Sequence, residues 1–510
     1  MSIKSFTPFG YEGVIGTVEV DLRKGIPAVD IVGIADTVLK DSRTKVIEAI
    51  KNSGFEFPQK RVLISCSPAD VSRKERSIDL AIALAILAES EQEKMLHSQD
   101  EDVLVIGELE EDGKVRGCRG ITAALQCAVA LGIKYAIIPE EVDIEAIPDG
   151  ILVVRVGDLR EAFNSLCHVD DDETAEAYEE MSERQKKLEN LKQKKKLNIK
   201  FQDAEDEHTL DGIKEHNGLK YAMAVAVAGR HHILAYGRPG CGKTLILSHM
   251  PELLPNLLEE EEHVVQRIYS LAGFESRDIK ARPFRQPHQT ATLEGTCGGG
   301  VDCKPGEISL AHNGVLFLDE ATEFRTSVLQ VLRIPLENNN ITLSRAGRHT
   351  TYPASFQLAM AMNPCPCGCY GSEKVCVCSP RTLEQYWRKV SGPLLVVFGI
   401  RLDCNKEDNE KFLSLKELRA MIEKAWTVQY ERQGKLNEKL KPEEIAEYVN
   451  ISEDSKKLLD KYQLRTTLEI LKVARTLADI KQDEPDNFVP DTYVTEALEL
   501  HGEVPYESDF

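Results

Sequence analysis

His231-His-Ile-Leu-Ala-Tyr-Gly237-Arg-Pro-Gly-Cys-Gly242-Lys243-Thr244 decides how this chain is read. An apolar run ends in a glycine-rich turn, and Leu245-Ile-Leu247 then opens a helix. The pattern G-x4-G-K-T is a phosphate-cradling loop. Glycines let the backbone close around phosphate oxygens, because no Cβ stands in the way. Amides at the helix N-terminus face the anion, and the helix dipole favours negative charge there. Gly237, Arg238, Pro239, Gly240, Cys241 and Gly242 are thus expected to wrap the phosphates of ATP. Lys243 would reach the β- and γ-phosphates, and Thr244 would ligate Mg²⁺.

The chain of 510 residues is long enough for about three domains. Hydrophobic content of 42% and charged content of 29% suit a globular protein with a sizeable core. No run of ~18 apolar residues is present, so no membrane partner is expected. Met1-Ser-Ile-Lys-Ser-Phe-Thr-Pro8 lacks an apolar signal region, so the expected location is cytoplasmic. Thirteen cysteines, mostly scattered singly, point to reduced thiols, with any cluster read first as a metal site. A net charge of -21 argues against coating nucleic acid by bulk charge, so any DNA contact must be local.

Residues 1–167 read as one α/β domain. Val14–Val20, Ala28–Val32, Arg61–Cys66, Val103–Ile106 and Tyr135–Ile138 are strand-like, and Leu39, Val46, Ile47 and Ile50 share one helix face. Gly107-Glu-Leu109, Gly113-Lys-Val-Arg116, Arg119-Gly-Ile121 and Ala130-Leu-Gly-Ile-Lys-Tyr-Ala-Ile-Ile-Pro139 resemble the Lon-protease (S5-type) domain. That resemblance implies a Ser–Lys dyad, yet the lysine position falls at Thr122. The serine segment, Arg73-Lys-Glu-Arg-Ser-Ile-Asp79, lacks the Gly-Pro-Ser-Ala-Gly turn. Ser77 reads as an N-cap for the following helix. A serine without a base is no nucleophile, so the domain is expected to be non-proteolytic.

Residues 168–205 form a charged connector, acidic at Asp170–Glu176 and basic at Arg184–Lys196. Segregated charge blocks suit a solvated helix or flexible linker, with DNA contact by the basic block as the alternative. Residues 206–404 hold the nucleotide machinery. Gly314-Val-Leu-Phe-Leu-Asp319-Glu320 is an apolar strand ending in two carboxylates. Asp319 can bind Mg²⁺ through water or Thr244, and Glu320 can deprotonate the attacking water. The strand Phe356–Met362 ends in Asn363, the first sensor position of the AAA+ ATPases that this constellation resembles.

Pro283-Phe-Arg-Gln-Pro-His288, the run Lys304–Glu320, Asn363-Pro-Cys-Pro-Cys-Gly368 and Lys51-Asn-Ser-Gly-Phe-Glu-Phe-Pro58 sharpen the likeness. They resemble magnesium-chelatase-like AAA+ proteins of the YifB/ComM type, over nearly the whole chain. The resemblance implies a Lon-like α/β domain, a P-loop α/β domain and a C-terminal helical lid. It also implies a homo-hexameric ATPase and, in competent bacteria, a DNA helicase driving branch migration during recombination.

Cys365, Cys367, Cys376 and Cys378 form two C-x-C pairs with the spacing of a four-thiolate structural Zn²⁺ site, with Cys369 a spare. One departure concerns hydrolysis. After Ser391-Gly-Pro-Leu-Leu395 the family's arginine finger falls at Val397; Arg401, four residues on, is the candidate replacement, and slow hydrolysis is the alternative. Gln289 stands where the family has a second histidine, and Ile334 where it has a polar residue.

Residues 405–510 read as a helical lid. By resemblance Arg465 is the second sensor, with Arg475 the alternative. Ile341–His349 reads as a hairpin whose Arg345, Arg348 and His349 contact DNA phosphates or merely face solvent. The expected function is a DNA ring motor. Its rivals are a chelatase-type remodelling factor and a nucleotide-binding protein with weak turnover.

Overall fold

The computed structural model describes residues 2–32, 36–67, 77–90, 102–142, 147–167, 199–202, 209–274, 279–345, 348–390, 392–405, 411–482 and 486–504. The basic run Arg184–Lys196 and residues 73–76 of the serine segment lie outside them.

The N-terminal part is built on a seven-stranded sheet. Its strands are β1 (Ser2–Thr7), β2 (Val14–Arg23), β3 (Ala28–Val32), β4 (Arg61–Ser67), β5 (Val103–Val105), β6 (Tyr135–Pro139) and β7 (Leu152–Val156). They lie in the order β3-β4-β2-β1-β5-β6-β7. β1 and β2 pair antiparallel, as do β2 and β4, while β5, β6 and β7 run parallel. In β4, Val62, Ile64 and Cys66 point inward and alternate with less buried residues, the period-2 signature of a one-sided core. The helix Asp79–Glu89 is buried from Asp79 to Ala88, which explains why it is apolar all round. β1 and β7 escape the sequence reading. The expected N-cap role of Ser77 is corrected: Ile78 occupies that place without a side-chain cap, and the Ser77 hydroxyl donates to the Phe6 carbonyl (3.1 Å).

The second sheet is parallel throughout. Its strands are β8 (Ile233–Tyr236), β9 (Phe284–Arg285), β10 (Val315–Leu318), β13 (Gln357–Met362) and β14 (Ile400–Asp403). The hairpin β11 (Asn340–Arg345) and β12 (Arg348–Pro353) interrupts the chain before β13. The spatial order is β9-β10-β13-β8-β14. β8, β10 and β13 are buried along their whole length, so they read as unbroken apolar runs. Gln357 is tolerated there because its amide donates to the Ala226 and His231 carbonyls.

The lid helices Leu415–Gln433 and Leu464–Lys481 pack on the apolar helix Asn217–Gly229 that precedes β8. Trp426 and Gln429 donate to the Val227 and Ala228 carbonyls, tying the lid to that helix. His231 Nε2 meets Thr476 Oγ1 at 2.7 Å, and burial pushes the pKa of this histidine down to about 3, which keeps it neutral. The loop between β1 and β2 wedges against the part of the chain built on the second sheet. Gly10 N donates to Asp302 O, Tyr11 N donates to Thr350 Oγ1, and Arg267 donates to the Tyr11 and Glu12 carbonyls.

Arg475 and Asp479 are fully buried, 2.9 Å apart, with Arg432 and Asn437 completing the carboxylate's bonds. This arginine is therefore part of the lid's interior. Arg432 would still pair with the carboxylate, so Arg475→Met, which removes charged hydrogen bonds, should destabilise by about 1.5–3 kcal/mol in urea unfolding.

Candidate nucleotide and metal sites

Strand order places the chemistry. β8 carries the phosphate loop and β10 the acidic pair, and β13 lies between them. The chain-order break between β8 and β13 is the switch point at which open α/β sheets bind ligands, outside the strands' carboxyl ends. Gly240 and Gly242 have φ of +80° and +77°, which only glycine adopts cheaply. The helix Lys243–Ser248 starts directly behind them.

Lys243 is 7% exposed and donates to the Gly237 and Arg238 carbonyls at 2.7 and 2.9 Å. Its ammonium thus caps the loop it serves. Thr244 Oγ1 donates to Asp319 Oδ1 at 2.8 Å, so the hydroxyl and carboxylate expected to share Mg²⁺ already touch. The same Oδ1 accepts the Glu320 amide (3.0 Å). Glu320 has φ +49°, a left-handed conformation that is strained for a side chain with a Cβ. Asn363 follows β13 directly and is half-buried between the two site strands.

Other expected residues stand elsewhere. Arg401 is wholly buried on β14, its guanidinium donating to the Leu395 carbonyl (2.9 Å). The expectation that it replaces the finger is corrected, because a guanidinium held inside its own subunit is not offered to a neighbour. Val397 is buried as well. Arg465 is exposed and paired with Glu337 (3.0 Å). Arg345 and Arg348 face each other in the β11–β12 register, and their side chains lie outside the described structure.

Sequence reasoning missed three neighbours. Gln289 Nε2 donates to Glu320 Oε2 (2.5 Å), and its departure from the family pattern was the available signal. Asn405 Oδ1 accepts the Arg238 amide (2.8 Å). Cys404 lies beside Cys241. A hydrogen bond from the Cys404 thiol, and then the Lys243 ammonium, hold Cys241 down to about 6 against the opposing effect of burial.

The four sulfurs of Cys365, Cys367, Cys376 and Cys378 lie within 4.8 Å of one another. Three of their separations are 3.4, 3.8 and 3.6 Å. A tetrahedron with Zn–S bonds of roughly 2.3 Å has edges of roughly 3.8 Å, so the donor set fits zinc. Backbone amides supply the outer support: Tyr370 N points at Cys365, those of Cys369 and Val377 at Cys367, and Cys378 N at Cys376. The Cys369 thiol instead meets the Cys367 carbonyl.

This parallel sheet, phosphate loop and paired carboxylates are those of the P-loop nucleotide-binding class. Descriptions of magnesium chelatase subunit ChlI match residues 18–142 and 209–412, and that of its C-terminal part matches residues 413–501. The uncharacterized protein YifB of Escherichia coli (strain K12) is 34% identical, over 92% of this chain and 91% of its own length. Competence protein ComM of Haemophilus influenzae is 31% identical, over 97% of this chain and 96% of its own length. Lon protease 2 of Bacillus subtilis is 29% identical over 27% of this chain and 26% of its own length. The chain belongs to the YifB/ComM family of magnesium-chelatase-like AAA+ ATPases. No helix among the described residues is long and apolar enough to cross a membrane.

Elemental analysis of purified protein should find about one zinc per chain. Cys378→Ser should lose it, whereas Cys369→Ser should keep it.

Proposed function

We propose that the chain binds and hydrolyses ATP and uses the cycle to move single-stranded or branched DNA through a homo-hexameric ring. The observation that carries the ATP chemistry is the Thr244–Asp319 contact, with Glu320 bonded to the same carboxylate. Lys243 would exchange the Gly237 and Arg238 carbonyls for β- and γ-phosphate oxygens. Thr244 and Asp319 would hold Mg²⁺, which neutralises charge on the phosphates. Glu320 would take a proton from the attacking water once Gln289 releases it, and Asn363 would orient that water. Arg465 would exchange Glu337 for the γ-phosphate as the lid closes.

The hairpin Asn340–Pro353 and its arginines at the turn are the proposed DNA contact. Such phosphate contacts carry little sequence information and weaken steeply with salt. The competence role of the ComM relative supports DNA as the cargo. The N-terminal part is read as a non-proteolytic platform docked on this hairpin through Tyr11 and Thr350.

The burial of Val397 and Arg401 favours a second reading, in which turnover is slow for want of a finger.

ATP hydrolysis measured with and without branched DNA tests the proposal. Stimulation of several-fold is expected, and its absence together with no strand displacement would sink the motor. Glu320→Gln should lower turnover about 100-fold or more while nucleotide still binds. Lys243→Ala should lose binding itself. Val397→Arg raising turnover about 10-fold or more would establish the second reading; unchanged turnover would reject it.

A further inference from the structure

The cysteine knuckle is not a remote ornament of the fold. It leaves the end of β13 immediately after Asn363 and meets the phosphate loop at Gly368. Gly368, in the turn between Cys367 and Cys369, has φ +75°. A Cβ there would stand 2.6 Å from Pro239 Cδ and 2.8 Å from Pro239 Cγ. Backbone of the knuckle therefore abuts the proline ring in the middle of the phosphate loop. Only glycine allows both the conformation and the approach.

A second line of contact runs parallel. A Cβ on Gly371 would meet Asn405 Nδ2 at 3.8 Å, and Asn405 Oδ1 accepts the amide of Arg238, the residue before Pro239. The root of the knuckle is fixed too. Trp387 Nε1 donates to the Pro364 carbonyl (3.0 Å), and the buried indole packs edge-on at 5.5 Å against Tyr236, the last residue before Gly237. Cys367 directly precedes this turn and Cys376 and Cys378 follow it, so whatever holds these sulfurs together with that of Cys365 restrains Gly368.

We infer that metal held by Cys365, Cys367, Cys376 and Cys378 buttresses the phosphate loop through the Gly368–Pro239 contact, so that zinc and nucleotide bind with positive coupling. The inference rests on the metal reading above. Without the metal the turn has four loose thiols and loses its fixed position. Pro239 then loses its backing, and the loop must be ordered at the expense of nucleotide affinity. Linkage requires the effect to be reciprocal.

The test uses full-length zinc-loaded protein. Zinc affinity is measured by competition with a chromophoric chelator, with and without saturating ADP. ADP affinity is measured with a fluorescent ADP analogue on zinc-loaded and zinc-depleted protein. ADP should tighten zinc by about 10-fold, and zinc should tighten ADP by the same factor. In Pro239→Ala the zinc content should stay full while the tightening of zinc by ADP disappears. Equal zinc affinity with and without ADP overturns the coupling, and so does coupling that survives in Pro239→Ala. If zinc-depleted protein unfolds, the chelator competition on the folded holoprotein decides alone. Zinc below about half an equivalent in protein as isolated is a different failure: it overturns the metal site and the coupling with it.

Discussion

Burial of the parallel sheet on both faces is the constraint from which the site follows. β8, β10 and β13 have no solvent-facing side, so their polar residues can appear only where the strands end. Asp319, Glu320 and Asn363 occur there, and Lys243 and Thr244 follow the end of β8 across the phosphate loop. Parallel pairing puts those ends on one edge, and the order β10-β13-β8 brings them within reach of one another. The Thr244–Asp319 hydrogen bond, spanning 75 residues of sequence, is the direct expression of that geometry.

The surrounding parts are held by buried polar contacts as much as by apolar packing. Arg475, Arg432, Asn437 and Asp479 lock the lid internally, and Trp426 and Gln429 tie it to the helix before β8. A lid anchored this way can carry Arg465 at the exposed start of its helix, where a surface ion pair with Glu337 holds it only weakly. The cysteine knuckle closes the other side of the phosphate loop.

Much of this was legible in the chain. The hairpin at Asn340–Pro353, the helical lid and the strands ending in Asp319 and Asn363 follow from periodicity and local polarity, which are properties of neighbouring residues. Ser2–Thr7 was not legible as a strand, because Ser2, Lys4 and Thr7 make it resemble a polar terminus until β2 and β5 flank it. Ser77 has the composition of a cap, yet its hydroxyl turns to Phe6, 71 residues away, an acceptor that only tertiary packing supplies. Arg401 shows the same limit. Its place four residues after Val397 made it the candidate finger, whereas the fold buries its guanidinium against the Leu395 carbonyl.

The sequence by itself determined the phosphate loop, the acidic pair and the four-cysteine spacing, because each works through residues a few positions apart. Only the tertiary structure decided that Gln289 holds Glu320, that Asn405 holds Arg238 and that Gly368 presses on Pro239. Those contacts join segments 31 residues apart in the first case and 167 in the second. No local pattern encodes them, since their energy appears only when the sheet order has brought separate loops to one edge.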